Sequence, residues 1–135
     1  MEENEPQRLR QHPEERFAGP QHRYDLMAAA NHLRAEIGGS GVAGHRQESL
    51  YKHGPTSVSL FLFGPQTRLA PHRTKGTVVI HVLKGNMIIS AEGQSHDLRA
   101  GNVLVLAAGV QHEVVSQEES EMLLTVHLDP RPASA

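Results

Sequence analysis

The sequence predicts an all-β domain, either a two-sheet jelly roll or a small barrel, preceded by one short helix. After residue 44, short apolar runs alternate with turn residues, and no βα repeat interrupts them. The 135 residues are enough for one hydrophobic core and too few for two. With 38% hydrophobic and only 4% aromatic residues, we expect that core to be aliphatic. About eight strands around such a core leave room inside for side chains and one small ligand.

Residues 1–23 form a predicted arm ahead of the helix. They are rich in glutamate, arginine and proline, and only Leu9 and Phe17 are clearly apolar. Such a segment cannot bury enough surface to order itself, so the composition favours a loose arm over a segment that orders against a partner surface. We therefore expect the barrel to tolerate loss of residues 1–19.

Residues 24–44 contain the predicted helix and a glycine-rich loop. Apolar residues recur at spacings of four, three and four from Leu26 through Ala30 and Leu33 to Ile37. Asp25 is placed to cap the first turn, and Gly38-Gly39 follow as a stop signal. The loop then continues to Gly44.

Residues 45–130 form the predicted barrel. Short turn sequences separate the apolar runs. These are pairs of residues that contain glycine, proline or alanine, or two glutamates, and each pair is able to reverse the chain. Asp129-Pro130 ends the pattern because proline cannot donate to a central ladder, and residues 131–135 remain as a tail. The predicted strands are Glu48–Lys52, Ser57–Phe63, Thr77–Leu83, Asn86–Ala91, Ser95–Leu98, Asn102–Leu106, His112–Ser116 and Met122–Leu128.

Composition excludes several function classes. The net charge of -2 and the few aromatic residues make nucleic acid an unfavourable partner. The sequence has no cysteine, so disulfides, thiolate metal sites and cysteine nucleophiles are ruled out. No run approaches the roughly 18 apolar residues of a membrane span, and the N-terminus lacks the features of a signal peptide. We expect a cytoplasmic protein that binds neither nucleic acid nor membrane.

The most informative stretch starts at Gly101 and ends at His112, as a turn, an apolar strand, a second glycine turn and a histidine opening the next strand. It resembles the second motif of the cupin superfamily, in which Gly101, Gly109 and His112 occupy matching positions. Ala107 replaces the motif's proline, and Ser116 replaces its asparagine.

The first cupin motif is matched less completely. His72 and Gly85 stand at motif positions, whereas Thr74 replaces the second histidine and Val78 or Thr77 replaces the glutamate. The resemblance covers roughly residues 57–128. It implies a jelly-roll barrel, a homodimer and a small-molecule ligand or substrate.

The resemblance also implies a metal site, since a typical cupin holds a divalent ion with three imidazoles and a carboxylate. This chain keeps His72 and His112 of those four ligands. Two histidines alone hold Fe, Mn, Zn or Ni weakly, so a third donor is needed, and the candidates are His81, His127 and His53. His81 faces the interior if Thr77 and Val79 do, and points away if Val78 does. The counting through residues 73–76 leaves both registers open.

Two functional hypotheses follow. The first is a small-molecule cupin with a weak or optional divalent metal at His72 and His112, aided by His81. If it is an enzyme, the resemblance implies oxygenase or isomerase chemistry. The alternative, favoured by the missing glutamate and second histidine, is a metal-free module that binds or senses a small ligand without catalysis. Whether the chain is an enzyme, and through which catalytic residues, stays open at this point.

Overall fold

A computed structural model describes residues 16–36 and 44–129 of the chain. Most of the N-terminal arm, the Gly38-Gly39 stop, most of the glycine-rich loop and the C-terminal tail lie outside these residues. The described part consists of one helix followed by nine strands, which confirms the predicted fold class. These elements are α1 (Leu26–Ala35), β1 (His45–His53), β2 (Thr56–Phe63), β3 (Arg68–His72), β4 (Gly76–Lys84), β5 (Asn86–Ala91), β6 (Gln94–Arg99), β7 (Val103–Leu106), β8 (His112–Ser116) and β9 (Ser120–Leu128).

The strands form two antiparallel sheets that pack face to face. One sheet has five strands in the order β1-β2-β9-β4-β7, and the other has four in the order β3-β8-β5-β6. Alternate residues of each strand point between the sheets, where they bury a core that is aliphatic apart from two stacked phenylalanine rings. The core residues are Phe61, Phe63, Val78, Ile80, Val82, Met87, Ile89, Ala91, Leu98, Leu106, Val114 and Met122.

Helix α1 covers part of the outer face of the five-stranded sheet. The Asp25 carboxylate accepts a hydrogen bond from the Ala28 backbone N–H at 3.0 Å, which confirms the predicted N-cap. Arg34 pairs with Glu121 of β9 at 2.5 Å and ties the helix to the sheet. In the part of the chain that the structure describes, no helix is long and apolar enough to span a membrane. The helix and sheet share a second apolar cluster of Ala30, Leu33, Leu50, Leu60 and Leu62.

The described end of the arm is packed against β1, which corrects the expectation of a loose segment up to residue 23. Phe17 is only 4% exposed, and its ring lies 5.2 Å from that of Tyr51. The Arg16 guanidinium donates to the backbone carbonyl of Ser49 at 3.0 Å, and the Tyr24 hydroxyl donates to that of Leu50. One buried ring and two hydrogen bonds therefore dock a segment whose average composition is polar.

Strand β3 is absent from the sequence prediction. It is an edge strand of mostly exposed residues, it contains Pro71, and its register with β8 shifts between Leu69 and His72. Its residues therefore show no regular alternation of apolar and polar side chains, which is the pattern that predicts a strand. The connection between the predicted strands Ser57–Phe63 and Thr77–Leu83 therefore contains a strand, and His72 is its last residue.

Gly85 and Ser116, both at positions of the cupin motifs, have structural roles. Gly85 has φ +92°, and a Cβ there would lie 2.2 Å from the Oγ of Ser120 at the start of β9. Only glycine fits this turn. The fully buried Ser116 hydroxyl donates to the Gly64 carbonyl at 2.6 Å and accepts from the Thr67 N–H at 2.9 Å. It therefore holds the turn between β2 and β3.

Candidate functional site

His72 and His112 lie side by side at one end of the four-stranded sheet. They are cross-strand partners on β3 and β8, and their ring centroids are 4.3 Å apart with an interplanar angle of 60°. On the other side of His112, β5 contributes Ala91 at the same level. Because Ala91 and Val114 are buried in the core, alternation places His112 on the inner face of the sheet. His72 is solvent-exposed, so the pair lies where the barrel meets solvent.

Both imidazoles are held in the same tautomer. The Nδ1 of His72 is 3.2 Å from the Ala70 carbonyl, and the Nδ1 of His112 is 3.1 Å from the Val110 carbonyl. A carbonyl oxygen only accepts, so each Nδ1 must carry the proton and donate it. In the neutral form of a ring held in this way, the free lone pair is on Nε2. Donation from the other ring nitrogen to a backbone carbonyl is the arrangement that orients metal-binding histidines in proteins.

The electrostatics of His112 favour the neutral ring. Burial lowers the pKa of His112 below its ordinary value of 6.5, because the charged form loses its hydration. The hydrogen bond to the Val110 carbonyl opposes this change, and the nearby His72 lowers the pKa further. At neutral pH the His112 imidazole is thus available as a base or a ligand.

The other sequence candidates lie elsewhere. Val78 is 3% exposed and faces the core, so His81, three residues on, points to the outer face of the five-stranded sheet, away from the pair. The inward register of Thr77, Val79 and His81 is therefore wrong. His127 is exposed, and its Nδ1 is 3.0 Å from the Thr56 hydroxyl.

His53 is exposed at the end of β1, at the edge of the five-stranded sheet, whereas the pair belongs to the four-stranded sheet. His96 follows a different pattern. It is half-buried on the same face of β6 as the core residue Leu98.

The donor set around the pair is small. Within residues 16–36 and 44–129, no group of three or more histidine, aspartate or glutamate side chains is arranged to hold a metal ion. Neither candidate for the place of the motif's glutamate supplies a carboxylate: Val78 is buried in the core and Thr77 is exposed. Two imidazoles alone hold a divalent ion weakly, so an ion at this pair would need its other ligands from water or an exogenous molecule.

A cleft of about 380 Å³ lies at this end of the four-stranded sheet, and its lining includes His112 but not His72. It runs along the ends of β3, β8 and β5. The Arg73 guanidinium donates to the Gln111 amide oxygen at 3.0 Å and to the Gly109 carbonyl at 3.4 Å, which fixes it at the rim. No sequence pattern predicts this cleft, although Arg73 and Gln111 in its lining directly adjoin the motif histidines. The lining includes Arg73, Ser90, Glu92, Gln111, His112 and Glu113.

Comparison with known families agrees with this geometry. The model of the cupin domain family matches residues 59–128, which is just over half of the chain. The chain is a cupin. No curated protein sequence matches it significantly.

Solved structures show the same cupin fold. A cupin superfamily protein from Desulfitobacterium hafniense is 21% identical, with a TM-score of 0.67 over 82% of this chain and 94% of the other. An RmlC-like cupin from Shewanella frigidimarina is 17% identical, with a TM-score of 0.61 over 67% and 81% of the two chains. KdgF from a Halomonas species is 20% identical, with a TM-score of 0.58 over 67% and 84%. At these identities the similarity shows the fold alone.

Proposed function

We propose that this cupin binds a small molecule at the His72–His112 end of its barrel, together with a weakly held divalent transition metal. The observation that carries the proposal is the shared tautomer of the two adjacent rings, which leaves both Nε2 lone pairs free. Neutral imidazole with a free nitrogen is the form that binds Fe, Mn, Zn or Ni.

The chain's own residues supply orientation. The carbonyls of Ala70 and Val110 fix the ring planes of His72 and His112, and burial keeps His112 unprotonated. A bound divalent ion supplies Lewis acidity toward an oxygen of the small molecule. With only two imidazoles from the described residues, the ion keeps open positions for that molecule. The metal affinity is correspondingly low, and the small molecule raises it.

A metal-free binding module is the second candidate, and one observation favours it. No third histidine or carboxylate joins the pair into a group able to hold a metal among the described residues. In this alternative the histidines act as hydrogen-bonding groups, with Nε2 as acceptor. The cytoplasmic location expected from the sequence remains a prediction under both candidates.

Metal titration of untagged protein distinguishes the two candidates. Zn²⁺ or Ni²⁺ is titrated calorimetrically at pH 7.5 into the wild type and into His72→Ala and His112→Ala. His81→Ala is the matched control, because it removes an imidazole from the outer face. We expect one ion per chain, an affinity loss of about tenfold or more in each pair variant, and no change in the control. Equal binding by all four proteins contradicts the proposed site, and no binding by the wild type favours the metal-free module.

A further inference from the structure

One row beyond the histidine pair, three strand ends carry polar side chains. His112 is paired with His72 of β3 on one side and with Ala91 of β5 on the other. The next residues out of the sheet are therefore Arg73, Gln111 and Glu92, in that lateral order. Neighbouring strands lie about 4.8 Å apart, so the backbones of His72 and Ala91, on either side of His112, are roughly 10 Å apart. Arg73 directly follows His72, and Glu92 directly follows Ala91 in the turn between β5 and β6. All three residues line the same cleft.

The two outer members of this row are charges of opposite sign without a charged partner. Arg73 donates only to the neutral oxygens of Gln111 and Gly109, and in the described part of the chain no carboxylate lies within 4.0 Å of its guanidinium. Glu92 likewise has no cation within that distance among the described residues. Glu113, the other acid in the cleft, is paired with Arg68. The cleft thus presents one free cation and one free anion at opposite sides.

We propose that the ligand of this cleft is a small zwitterion of the amino-acid type. Its carboxylate is received by the planar guanidinium of Arg73, and its ammonium group by Glu92. A guanidinium held by two neutral acceptors keeps further N–H donors in a fork that matches a carboxylate. A ligand with one charge alone would leave the opposite side of the cleft uncompensated. The inference rests on the proposed function only in requiring that this end of the barrel binds a small molecule.

The test is an NMR titration of the ¹⁵N-labelled full chain in the presence of EDTA. The probes are glycine, β-alanine, 4-aminobutyrate and 5-aminovalerate, which separate the two charges by increasing lengths, and the single-charge probes propionate and propylamine. We expect saturable shifts of the Arg73, Gln111 and Glu92 amides with at least one amino acid. Its dissociation constant should be at least tenfold below that of either single-charge probe.

Charge-removing variants complete the design. Arg73→Gln and Glu92→Gln should each weaken binding of the amino acid by at least tenfold. Arg99→Gln, which removes an exposed arginine paired with Asp97 on β6, should leave it within twofold. Thermal melting of each variant establishes that it is folded.

Three outcomes overturn the inference: no amino acid binds, propionate or propylamine binds as tightly, or the Arg99 variant loses as much as the other two. Binding of Zn²⁺ to the same sample without EDTA is measured by the shifts of the histidine ring ¹⁵N resonances. Failure of Zn²⁺ to bind while an amino acid binds rejects the metal site alone, and the reverse result rejects the zwitterion alone.

Discussion

Phe17→Ala should destabilise the protein strongly, although Phe17 belongs to a segment with almost no other apolar residue. The ring is 4% exposed, and burial of a phenylalanine contributes about 1.5–3 kcal/mol to the free energy of unfolding. Its contact with the Tyr51 ring at 5.2 Å adds about 0.5–1.5 kcal/mol. The sum of about 2–4.5 kcal/mol corresponds to a fall in melting temperature of roughly 8–16 °C for a domain of this size.

Circular dichroism melting at fixed protein concentration measures this effect. Phe17→Leu is the control, because it keeps an apolar side chain at the position and should recover more than half of the loss. Deletion of residues 1–19 should reproduce the loss, in contrast to the tolerance that the composition suggests. A Phe17→Ala protein that melts within 2 °C of the wild type would refute the reasoning, since a docked ring cannot be removed at so small a cost.

Three further predictions concern pH, turns and assembly. Because the pKa of His112 is lowered in the folded state, the unfolded chain binds the proton more tightly. The free energy of unfolding should therefore fall as pH drops below about 6.5, by at most about 1.4 kcal/mol per pH unit. Urea unfolding of the wild type and of His112→Gln at several pH values checks this, and an equal pH dependence in both proteins contradicts it. Gly85→Ala should lower the free energy of unfolding by about 3 kcal/mol or more, because its Cβ would clash with the turn before β9. Gly101→Ala, at φ +91° with open space around the Cβ, should lower it by only about 1–2 kcal/mol. Equal losses of stability on thermal unfolding would be inconsistent with this difference. We also propose a homodimer, since the outer face of β7 exposes apolar Val103 and Val105; sedimentation at micromolar concentration should give twice the chain mass, and a monomer argues against it.

Strand alternation and turn residues were enough to predict eight of the nine strands and the helix with its Asp25 cap. Strand β3 was not predicted, because Pro71 and the register shift before His72 remove the alternation that marks a strand. The packing of Phe17 was not predicted, because composition averages over the whole segment and does not show that this one ring is buried.

The candidate site was likewise predictable from the sequence only in part. The motif positions pointed to His72 and His112, and the structure brings the two rings together. The face taken by His81 depends on the register through residues 73–76, which spacing alone could not fix and the buried Val78 decides. The charged row of Arg73 and Glu92 carries no sequence signal of its own, because it arises only from the pairing of three strands.

The central claim is that His72 and His112 form one site with both Nε2 lone pairs free. Long-range ¹H–¹⁵N NMR spectra of the histidine rings test it directly, because they distinguish a protonated from an unprotonated ring nitrogen. At pH 7.5 both rings should be protonated at Nδ1 only, and a single equivalent of Zn²⁺ should shift both Nε2 resonances together. A proton on either Nε2 in the metal-free protein, or responses of the two rings at different Zn²⁺ ratios, would contradict the account.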